Sequence, residues 1–215
     1  MPKNSGCTVL DYGVGNIYSV LQSLKQTGVT PTLTSDPQKL KSADRVIVPG
    51  VGAFQKGLEG LFRNNLIEAL LEFAQSGRPI LGICLGMQLF GTRSLEFGER
   101  NGLNLIPGQI QKIPSRTERD EHRLVPYIGW RDLKLNAEST QSLPILQNIN
   151  EKKSVYFVHS YQFIVENPKH LIATYEYGGL EITAAVQKDN ITGLQFHPEK
   201  SGPTGLQILK AFTSN

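Results

Sequence analysis

One stretch decides the fold: Pro79-Ile80-Leu81-Gly82-Ile83-Cys84-Leu85-Gly86-Met87-Gln88. Its apolar beginning, 79–83, is typical of a buried strand, and a helical pattern follows Cys84. Glycines stand two residues before and two residues after the cysteine, the spacing of a nucleophile on a tight strand-to-helix turn. Such a turn leaves the sulfur at a helix N-terminus, where the dipole favours a thiolate. The stretch predicts a nucleophilic Cys84; the alternative is a small hydrophobic residue that closes a buried strand.

The pattern around this stretch predicts an α/β fold. Apolar strand-like runs at 7–10, 30–34 and 45–48 alternate with helical patterns, one after Asn16 (a candidate cap) and one that continues from Leu58 to Leu71. Strands that alternate with helices form a parallel sheet through right-handed crossovers. The second half is richer in strands and partly antiparallel. Its strand-like runs are 155–163, 171–177, 181–187 and 192–196. We therefore predict a mostly parallel central sheet flanked by helices, followed by a strand-rich second half.

Composition restricts the classes of function. A chain of 215 residues with a net charge of +3 predicts one domain over residues 1–215. The chain has no basic stripe with interleaved aromatic residues, so nucleic-acid binding is not predicted. No apolar run approaches the ~20 residues of a membrane span. The two cysteines, Cys7 and Cys84, predict no disulfide framework, which is consistent with a reducing cytoplasm.

No cofactor or metal is predicted. The cysteines and histidines lack zinc-ligand spacing. Gly13-Val14-Gly15 follows the first strand, but Tyr18 stands where a dinucleotide loop would carry its third glycine. A plain strand-to-helix turn, possibly at a partner surface, is therefore preferred to a nucleotide site.

Backbone N–H groups near Cys84 can form an oxyanion hole. The N–H of Leu85 begins the helix after the nucleophile and supplies one donor. Chemistry in parallel sheets lies outside the C-terminal ends of the strands, so Gly50-Val51-Gly52, after the third strand, would lie beside Cys84 and supply the second. The alternative for this loop is a flexible turn before a long helix.

A base for the cysteine is predicted near the end of the chain. Pro198 favours an extended conformation at His197, and residues two apart in an extended chain point to the same side. Glu199 can therefore bind one imidazole nitrogen and leave the other for Cys84, as in a triad with glutamate as third member. The alternative is an ordinary strand-end histidine beside a solvated glutamate.

Two other features are left open by the residues alone. Trp130, the single tryptophan, is either core or a partner hot spot. The charged run 115–123 predicts a solvated hairpin tip or a mobile loop.

Several motifs together carry a family resemblance. GICLGMQ at 82–88, PGVG at 49–52 and FHPE at 196–199 resemble the class I (triad) glutamine amidotransferases, whose fold is flavodoxin-like. The chain is further similar to the glutaminase subunits of imidazole glycerol phosphate synthases in five segments: DYGVGN at 11–16, GW at 129–130, YFVHSY at 156–161, AAVQKDN at 184–190 and QFHPEKSG at 195–202.

The resemblance implies hydrolysis of glutamine to glutamate and ammonia through a thioester on Cys84, with His197 as base and Glu199 as its orienter. It implies an oxyanion hole from Leu85, Val51 and Gly52. It also implies four glutamine-binding residues: Gln88, Glu96, Ser160 and Tyr161. For two of these a structural alternative exists, because Gln88 can be a polar helix face and Tyr161 can be core.

The resemblance also implies a partner. Ammonia would pass to a (β/α)8-barrel cyclase subunit that forms the imidazole ring in histidine biosynthesis, in a heterodimer whose interface includes Asn16 and Trp130. LEFGE at 95–99 is similar to a related group that supplies ammonia to surface-sugar biosynthesis, which is the alternative partner. A non-catalytic binding module is a third hypothesis, against which the intact Cys84, His197 and Glu199 argue.

Overall fold

The protein is described from a computed structural model that covers residues 6–117, 119–136, 144–147 and 154–214. An eight-stranded sheet forms its centre. Five parallel strands come first in spatial order: β2 (Pro31–Thr34), β1 (Cys7–Leu10), β3 (Arg45–Gly50), β4 (Ile80–Cys84) and β14 (Ile191–Leu194). Three antiparallel strands extend it: β13 (Leu180–Lys188), β12 (Leu171–Tyr177) and β9 (Lys134–Leu135).

Helices cover both faces of this sheet, because its parallel strands are apolar on both sides. Ile47 of β3 packs with α1 (Ile17–Gln26) and α7 (Gly202–Ser214), whereas its neighbours Val46 and Val48 belong to the core on the opposite face. That opposite core contains residues from four helices: α2 (Pro37–Lys41), α3 (Phe54–Arg63), α4 (Leu66–Gln75) and α5 (Leu85–Leu89). The alternation along β3 has the period of two that a strand imposes.

The second half adds two smaller sheets. One pairs β8 (Tyr127–Asp132) with β10 (Ser154–His159). The other contains four strands in the order β11 (Tyr161–Val165), β7 (Gly108–Lys112), β5 (Arg93–Ser94) and β6 (Arg100–Asn101). Three short helices complete the described elements: α6 (Pro144–Gln147) and the 3-10 helices Pro168–His170 and Pro198–Lys200. The predicted fold class, a mostly parallel sheet with helices and a strand-rich second half, is confirmed.

The helical pattern after the third strand was predicted to be continuous, and this is wrong. The chain forms α3 and α4, separated at Asn64 and Asn65. Asn65 adopts the left-handed conformation with φ of 56°, which asparagine tolerates better than most residues. The side chain of Asn64 donates to the carbonyl of Gly60 at 2.8 Å and satisfies the end of α3. The break leaves Phe62, which belonged to the apolar pattern, 71% exposed.

The run 155–163 was predicted as one strand, and this too is wrong. His159 pairs with Tyr127 of β8, whereas Tyr161 pairs with Lys112 of β7. The chain therefore changes sheet at Ser160, whose carbonyl accepts a hydrogen bond from the N–H of Ile113 at 2.9 Å. Ser160 therefore lies between β10 and β11, where the chain passes from one small sheet to the other.

Two smaller expectations also differ from the structure. The side chain of Asn16 makes no capping hydrogen bond to α1, so the predicted cap is wrong. The charged run 115–123, of which residue 118 lies outside the described residues, is only partly solvated. Arg123 is buried, and its guanidinium donates to the carbonyls of Pro114, Arg116, Tyr177 and Gly178.

Candidate active site

The turn between β4 and α5 exposes the sulfur of Cys84 to a cavity. Cys84 has φ of 54° and ψ of −108°, a conformation that costs a non-glycine residue about 1–3 kcal/mol. The flanking glycines are required by close packing: a Cβ on Gly86 would lie 1.8 Å from the carbonyl oxygen of Val48, and one on Gly82 would lie 2.5 Å from the ring of Phe90. The predicted strand-to-helix turn is therefore present, and its backbone is strained at the cysteine.

His197 and Glu199 form a buried pair beyond the end of β14. His197 is extended, with φ of −98° and ψ of 96°, and its Nδ1 lies 2.8 Å from Oε1 of Glu199. Both side chains are only 1% exposed. The N–H of His197 donates to the carbonyl of Tyr156, and the Ser201 hydroxyl donates to the carbonyl of His197, so the backbone is held on both sides. The pair therefore has the geometry of a base and its orienting carboxylate.

The imidazole of His197 lies close enough to Cys84 for the sulfur to raise its pKa. In the part of the chain that the structure describes, Nε2 is buried and has no hydrogen-bond partner. Burial by itself lowers the pKa of His197, but the Cys84 sulfur and the Glu199 carboxylate outweigh it and raise the pKa from 6.5 to about 10. A protonated His197 beside a thiolate is the charge arrangement that activates a cysteine nucleophile.

A cavity of about 450 Å³ connects these groups with most of the other predicted site residues. Its volume is within the range of small-molecule sites. Nine of the predicted residues line it: Val51, Gly52, Cys84, Leu85, Gln88, Glu96, Ser160, Tyr161 and His197. Glu199 lies behind His197 and does not line it. Asn16 and Trp130, predicted at a partner interface, are likewise outside the lining.

The loop after β3 lies beside the nucleophile. In the register of β3 with β4, Gly50 is the partner of Cys84, so Val51 and Gly52 follow directly at the cavity wall. Tyr12 is buried beneath this loop and donates its hydroxyl to the carbonyl of Pro49 at 2.5 Å. Backbone groups of this loop and of Leu85 line the same cavity as the sulfur and are therefore candidates to stabilise an oxyanion there.

The polar wall of the cavity is built from Gln88, Glu96 and Tyr161. The Gln88 amide donates to the Tyr161 carbonyl at 3.3 Å, and Oε2 of Glu96 accepts from the N–H of Phe54 at 2.5 Å. Burial and the nearby Glu96 carboxylate together raise the pKa of the Tyr161 phenol. A carboxylate and several hydrogen-bonding groups opposite a nucleophile suit a small polar substrate with a charged amine.

Sequence reasoning missed two polar residues of this site. Gln195 is fully buried, and its Nε2 lies 3.6 Å from Sγ of Cys84. A signal was present, because the sequence predicts a strand over 192–196 and Gln195 is two residues before His197. His159 lines the cavity with its two nitrogens bonded to the Tyr161 carbonyl and the Tyr175 hydroxyl, and burial lowers its pKa to about 4, so its ring is neutral.

Trp130 and its neighbours form an exposed apolar face. Trp130 is 50% exposed, so the core alternative is excluded, and its ring contacts Tyr156 edge-on at 5.9 Å between centroids. Ile128, two residues earlier in β8, is 60% exposed. The turn before α1 is half-buried at Asn16, and a Cβ on Gly15 would lie 3.5 Å from Pro49, so this turn packs on the loop that precedes Val51.

Within the described ranges, no group of three or more histidine, cysteine or acidic side chains could hold a metal ion. None of the helices in those same ranges is long and apolar enough to cross a membrane.

Comparison with known proteins identifies relatives over almost the whole chain. Residues 8–215 match the family model described as glutamine amidotransferase class-I. The chain is 44% identical over 209 residues to imidazole glycerol phosphate synthase subunit HisH 1 of Legionella pneumophila strain Paris, covering 97% of this chain and 98% of that one. It is 42% identical over 205 residues to subunit HisH of Syntrophotalea carbinolica, with 95% and 97% covered.

Solved structures with lower sequence identity share the fold. The structure of PurLQS from Thermotoga maritima aligns with a TM-score of 0.70 at 19% identity, over 97% of each chain. The glutaminase domain of Trypanosoma brucei CTPS with bound acivicin aligns with a TM-score of 0.63 at 18% identity, over 96% of this chain and 93% of that one.

Proposed function

The chain belongs to the class-I glutamine amidotransferases, and from that premise we propose that it is the glutaminase subunit of an imidazole glycerol phosphate synthase. The observation that supports the chemistry is that Cys84 and His197 line one cavity, with Glu199 bonded to Nδ1 of His197 from behind. The relatives at 44% and 42% identity are named as subunits of that synthase, which supports the histidine-pathway role over the sugar-pathway alternative. The whole chain would act as one amidotransferase domain.

The reaction begins with attack of the Cys84 sulfur on the side-chain carbonyl carbon of glutamine. His197 holds the thiol proton at Nε2 and transfers it to the leaving nitrogen, so that ammonia departs and a glutamyl thioester remains. The same nitrogen then takes a proton from water, and the resulting hydroxide releases glutamate and returns the sulfur. Glu199 keeps Nδ1 protonated and the ring oriented throughout.

The negative oxygen of each tetrahedral intermediate requires donors. We assign them to the N–H of Leu85 and to the backbone of Val51 and Gly52, which line the same wall as the sulfur. Donors fixed in a buried site of this kind are worth about 2.7–4 kcal/mol each in the transition state.

Four residues would hold the rest of glutamine. The Glu96 carboxylate suits the α-ammonium group, and Gln88, Ser160 and Tyr161 supply hydrogen-bonding groups around it. Because Gln88 already donates its amide N–H groups to Tyr161 and Gln195, it offers its carbonyl oxygen to the substrate.

Ammonia is useful only if a second protein consumes it, and the relatives' names as subunits indicate a multi-subunit enzyme. We propose a heterodimer with a (β/α)8-barrel cyclase, with Trp130 and Asn16 at the interface. The turn at Gly15 packs on Pro49, so a partner bound there would act on the loop that carries Val51. We place the reaction in the cytoplasm, where a reducing environment keeps the free Cys84 thiol active.

Glutamine hydrolysis with and without the cyclase and its nucleotide ligand tests this proposal. We expect weak turnover by the chain alone and strong stimulation by the loaded partner. Absence of stimulation by the cyclase, together with capture of a sugar-modifying partner from the same cells, would contradict the histidine-pathway assignment while leaving the glutaminase chemistry in place.

A further inference from the structure

We propose that Gln195 is a positioning residue for the nucleophile: its side-chain amide donates a hydrogen bond to Sγ of Cys84 and so favours the thiolate. The inference rests on the glutaminase function proposed above and adds a residue to it. It begins from the distance of 3.6 Å between Nε2 of Gln195 and Sγ of Cys84, a separation suited to a sulfur acceptor.

The position of Gln195 is fixed by its strand. Gln195 follows β14, which pairs with β4 so that Leu194 is the partner of Ile83, and the N–H of Gln195 donates to the carbonyl of Ala184 at 2.8 Å. The residue is fully buried. A buried amide beside a sulfur makes most of its hydrogen bonds with its immediate neighbours, because water does not reach it.

The orientation of its amide follows from the neighbouring groups. A backbone carbonyl only accepts hydrogen bonds, so Gln88 must present its NH2 group to the carbonyl of Tyr161. That same NH2 group donates to Oε1 of Gln195 at 3.0 Å. Because the carbonyl end of Gln195 is occupied in this way, its NH2 end faces Cys84. The Tyr161 carbonyl, Gln88 and Gln195 form a hydrogen-bonded chain, the amide chain, in which Gln195 donates to the sulfur at its end.

The start of the amide chain is held firmly. The Tyr161 carbonyl also lies 2.7 Å from Nδ1 of His159, whose other nitrogen is bonded to the Tyr175 hydroxyl. His159 is neutral, so Nδ1 donates to the carbonyl and Nε2 accepts from the phenol. The Tyr161 carbonyl therefore accepts two hydrogen bonds, from Gln88 and from His159, and these fix its orientation.

The chemical consequence concerns the charge on sulfur. A donor aimed at a titrating group stabilises its charged form, and here the donor is a neutral amide rather than the His197 imidazole. The amide chain thus gives the thiolate a second stabilising contact that does not depend on the protonation of the imidazole. Loss of that contact raises the pH at which Cys84 becomes reactive.

The test is the pH dependence of Cys84 alkylation by iodoacetamide in the folded chain, followed by mass spectrometry. Cys7 is fully buried, so the reaction reports on Cys84. Gln195→Met keeps the side-chain volume and removes the donor. In this variant we expect the midpoint of the pH profile of Cys84 alkylation to rise by about one pH unit, which is a tenfold loss of alkylation rate at pH values below the midpoint. Gln195→Glu, which replaces the donor with a carboxylate, should raise it further. Gln162→Met, the loss of a buried amide that does not contact Cys84, should leave the midpoint unchanged.

The outcomes separate positioning from a merely structural role. If Gln195→Met does not fold, Gln195→Glu and Gln88→Met can be measured instead. Gln88→Met should raise the alkylation midpoint by a smaller amount, because it frees the amide of Gln195 to turn. Midpoints equal to the wild-type value in the folded variants would overturn the inference. The alkylation profiles need no substrate or partner, so they decide the role of Gln195 independently. A wild-type chain that hydrolyses no glutamine with any partner would instead contradict the proposed function.

Discussion

Oε2 of Glu96 accepts a hydrogen bond from the backbone N–H of Phe54 at 2.5 Å. Phe54 is the first residue of α3, and the residues just before it include Val51 and Gly52, to which we assign the oxyanion donors. Ala53, at the N-cap position, has no side chain that could cap the helix. Glu96 therefore performs that role from a distant loop, and the residue proposed to bind the substrate amine also fixes the loop beside the nucleophile.

Removal of this carboxylate should affect stability and substrate binding together. Glu96→Ala deletes the cap and should lower the free energy of unfolding by about 1 kcal/mol, measured by urea denaturation, and should raise KM for glutamine. Glu96→Gln keeps an acceptor for the Phe54 N–H but loses the charge. It should recover most of the stability but little of the affinity. Equal KM values for the wild type and Glu96→Gln would contradict the assignment of Glu96 to the substrate amine.

The close packing at the nucleophile turn predicts a severe effect of one methyl group. A Cβ on Gly86 would lie 1.8 Å from the carbonyl oxygen of Val48, which is backbone and cannot move aside cheaply. Gly86→Ala should therefore destabilise the protein by about 3 kcal/mol or more, seen as a large fall in Tm or as insoluble protein. Gly6→Ala is the matched control, because its Cβ would meet only Asp44, at 3.9 Å. Similar Tm values for the two variants would show that β3 and α5 are not packed as described.

Local patterns in the sequence predicted the turn at Cys84 and the contact of His197 with Glu199, but not the residues around them. The glycine spacing around Cys84 predicts a tight turn, and the short spacing of His197 and Glu199 keeps their side chains within reach of each other. The predicted extended segment is present only at His197, because Pro198–Lys200 forms a 3-10 helix. The contact of Gln195 with Cys84 depends instead on the parallel pairing of β14 with β4, which joins segments 111 residues apart. No periodicity records such a pairing.

Two element boundaries in the structure differ from those predicted from the sequence. The apolar spacing from Leu58 to Leu71 is compatible with one helix, and only the left-handed Asn65 divides it. The break at Ser160 arises because β10 and β11 pair with strands of different sheets, β8 and β7. The break at Ser160 is set by tertiary pairing, and the break at Asn65 by one left-handed residue, so the apolar spacing of the sequence records neither.

The pair of His197 and Glu199 predicts a measurable pKa change. Burial lowers the pKa of His197, whereas Cys84 and Glu199 raise it, to about 10. Glu199→Gln removes one of the raising contributions and leaves burial in place, so the pKa of His197, followed by NMR titration of its ring protons, should fall. Glu59→Gln, a change at an exposed carboxylate paired with Lys56, should not alter it.

The raised pKa of His197 also determines how the folding stability changes with pH. Folded His197 binds its proton more tightly than the unfolded chain does, so the stability from this contact is complete below pH 6.5 and is lost as the pH rises to about 10. Wild-type stability should therefore decrease over that window more steeply than that of Glu199→Gln. Parallel curves for the two proteins would be inconsistent with a carboxylate-stabilised imidazolium.

The exposed tryptophan predicts a binding defect. Trp130 is 50% exposed on β8, and buried aromatic anchors at protein interfaces are often worth 2 kcal/mol or more. Trp130→Ala should weaken the affinity for the proposed cyclase partner by about 30-fold or more, measured by calorimetry. Phe62→Ala, which removes a ring 71% exposed on α3, is the control and should bind the cyclase as the wild type does. If Phe62→Ala bound the proposed cyclase more weakly than Trp130→Ala does, the interface would include α3 instead of β8.

Covalent trapping of Cys84 tests most directly whether this cavity is the glutaminase site. The chain is incubated with a diazo-ketone analogue of glutamine, and peptides are then analysed by mass spectrometry, with Cys84→Ala as the control. We expect one adduct per chain on Cys84, none on the fully buried Cys7, and protection by an excess of glutamine. An unmodified Cys84 in folded protein, or modification that glutamine does not prevent, would contradict the assignment of Cys84, His197 and Glu199 to glutamine hydrolysis.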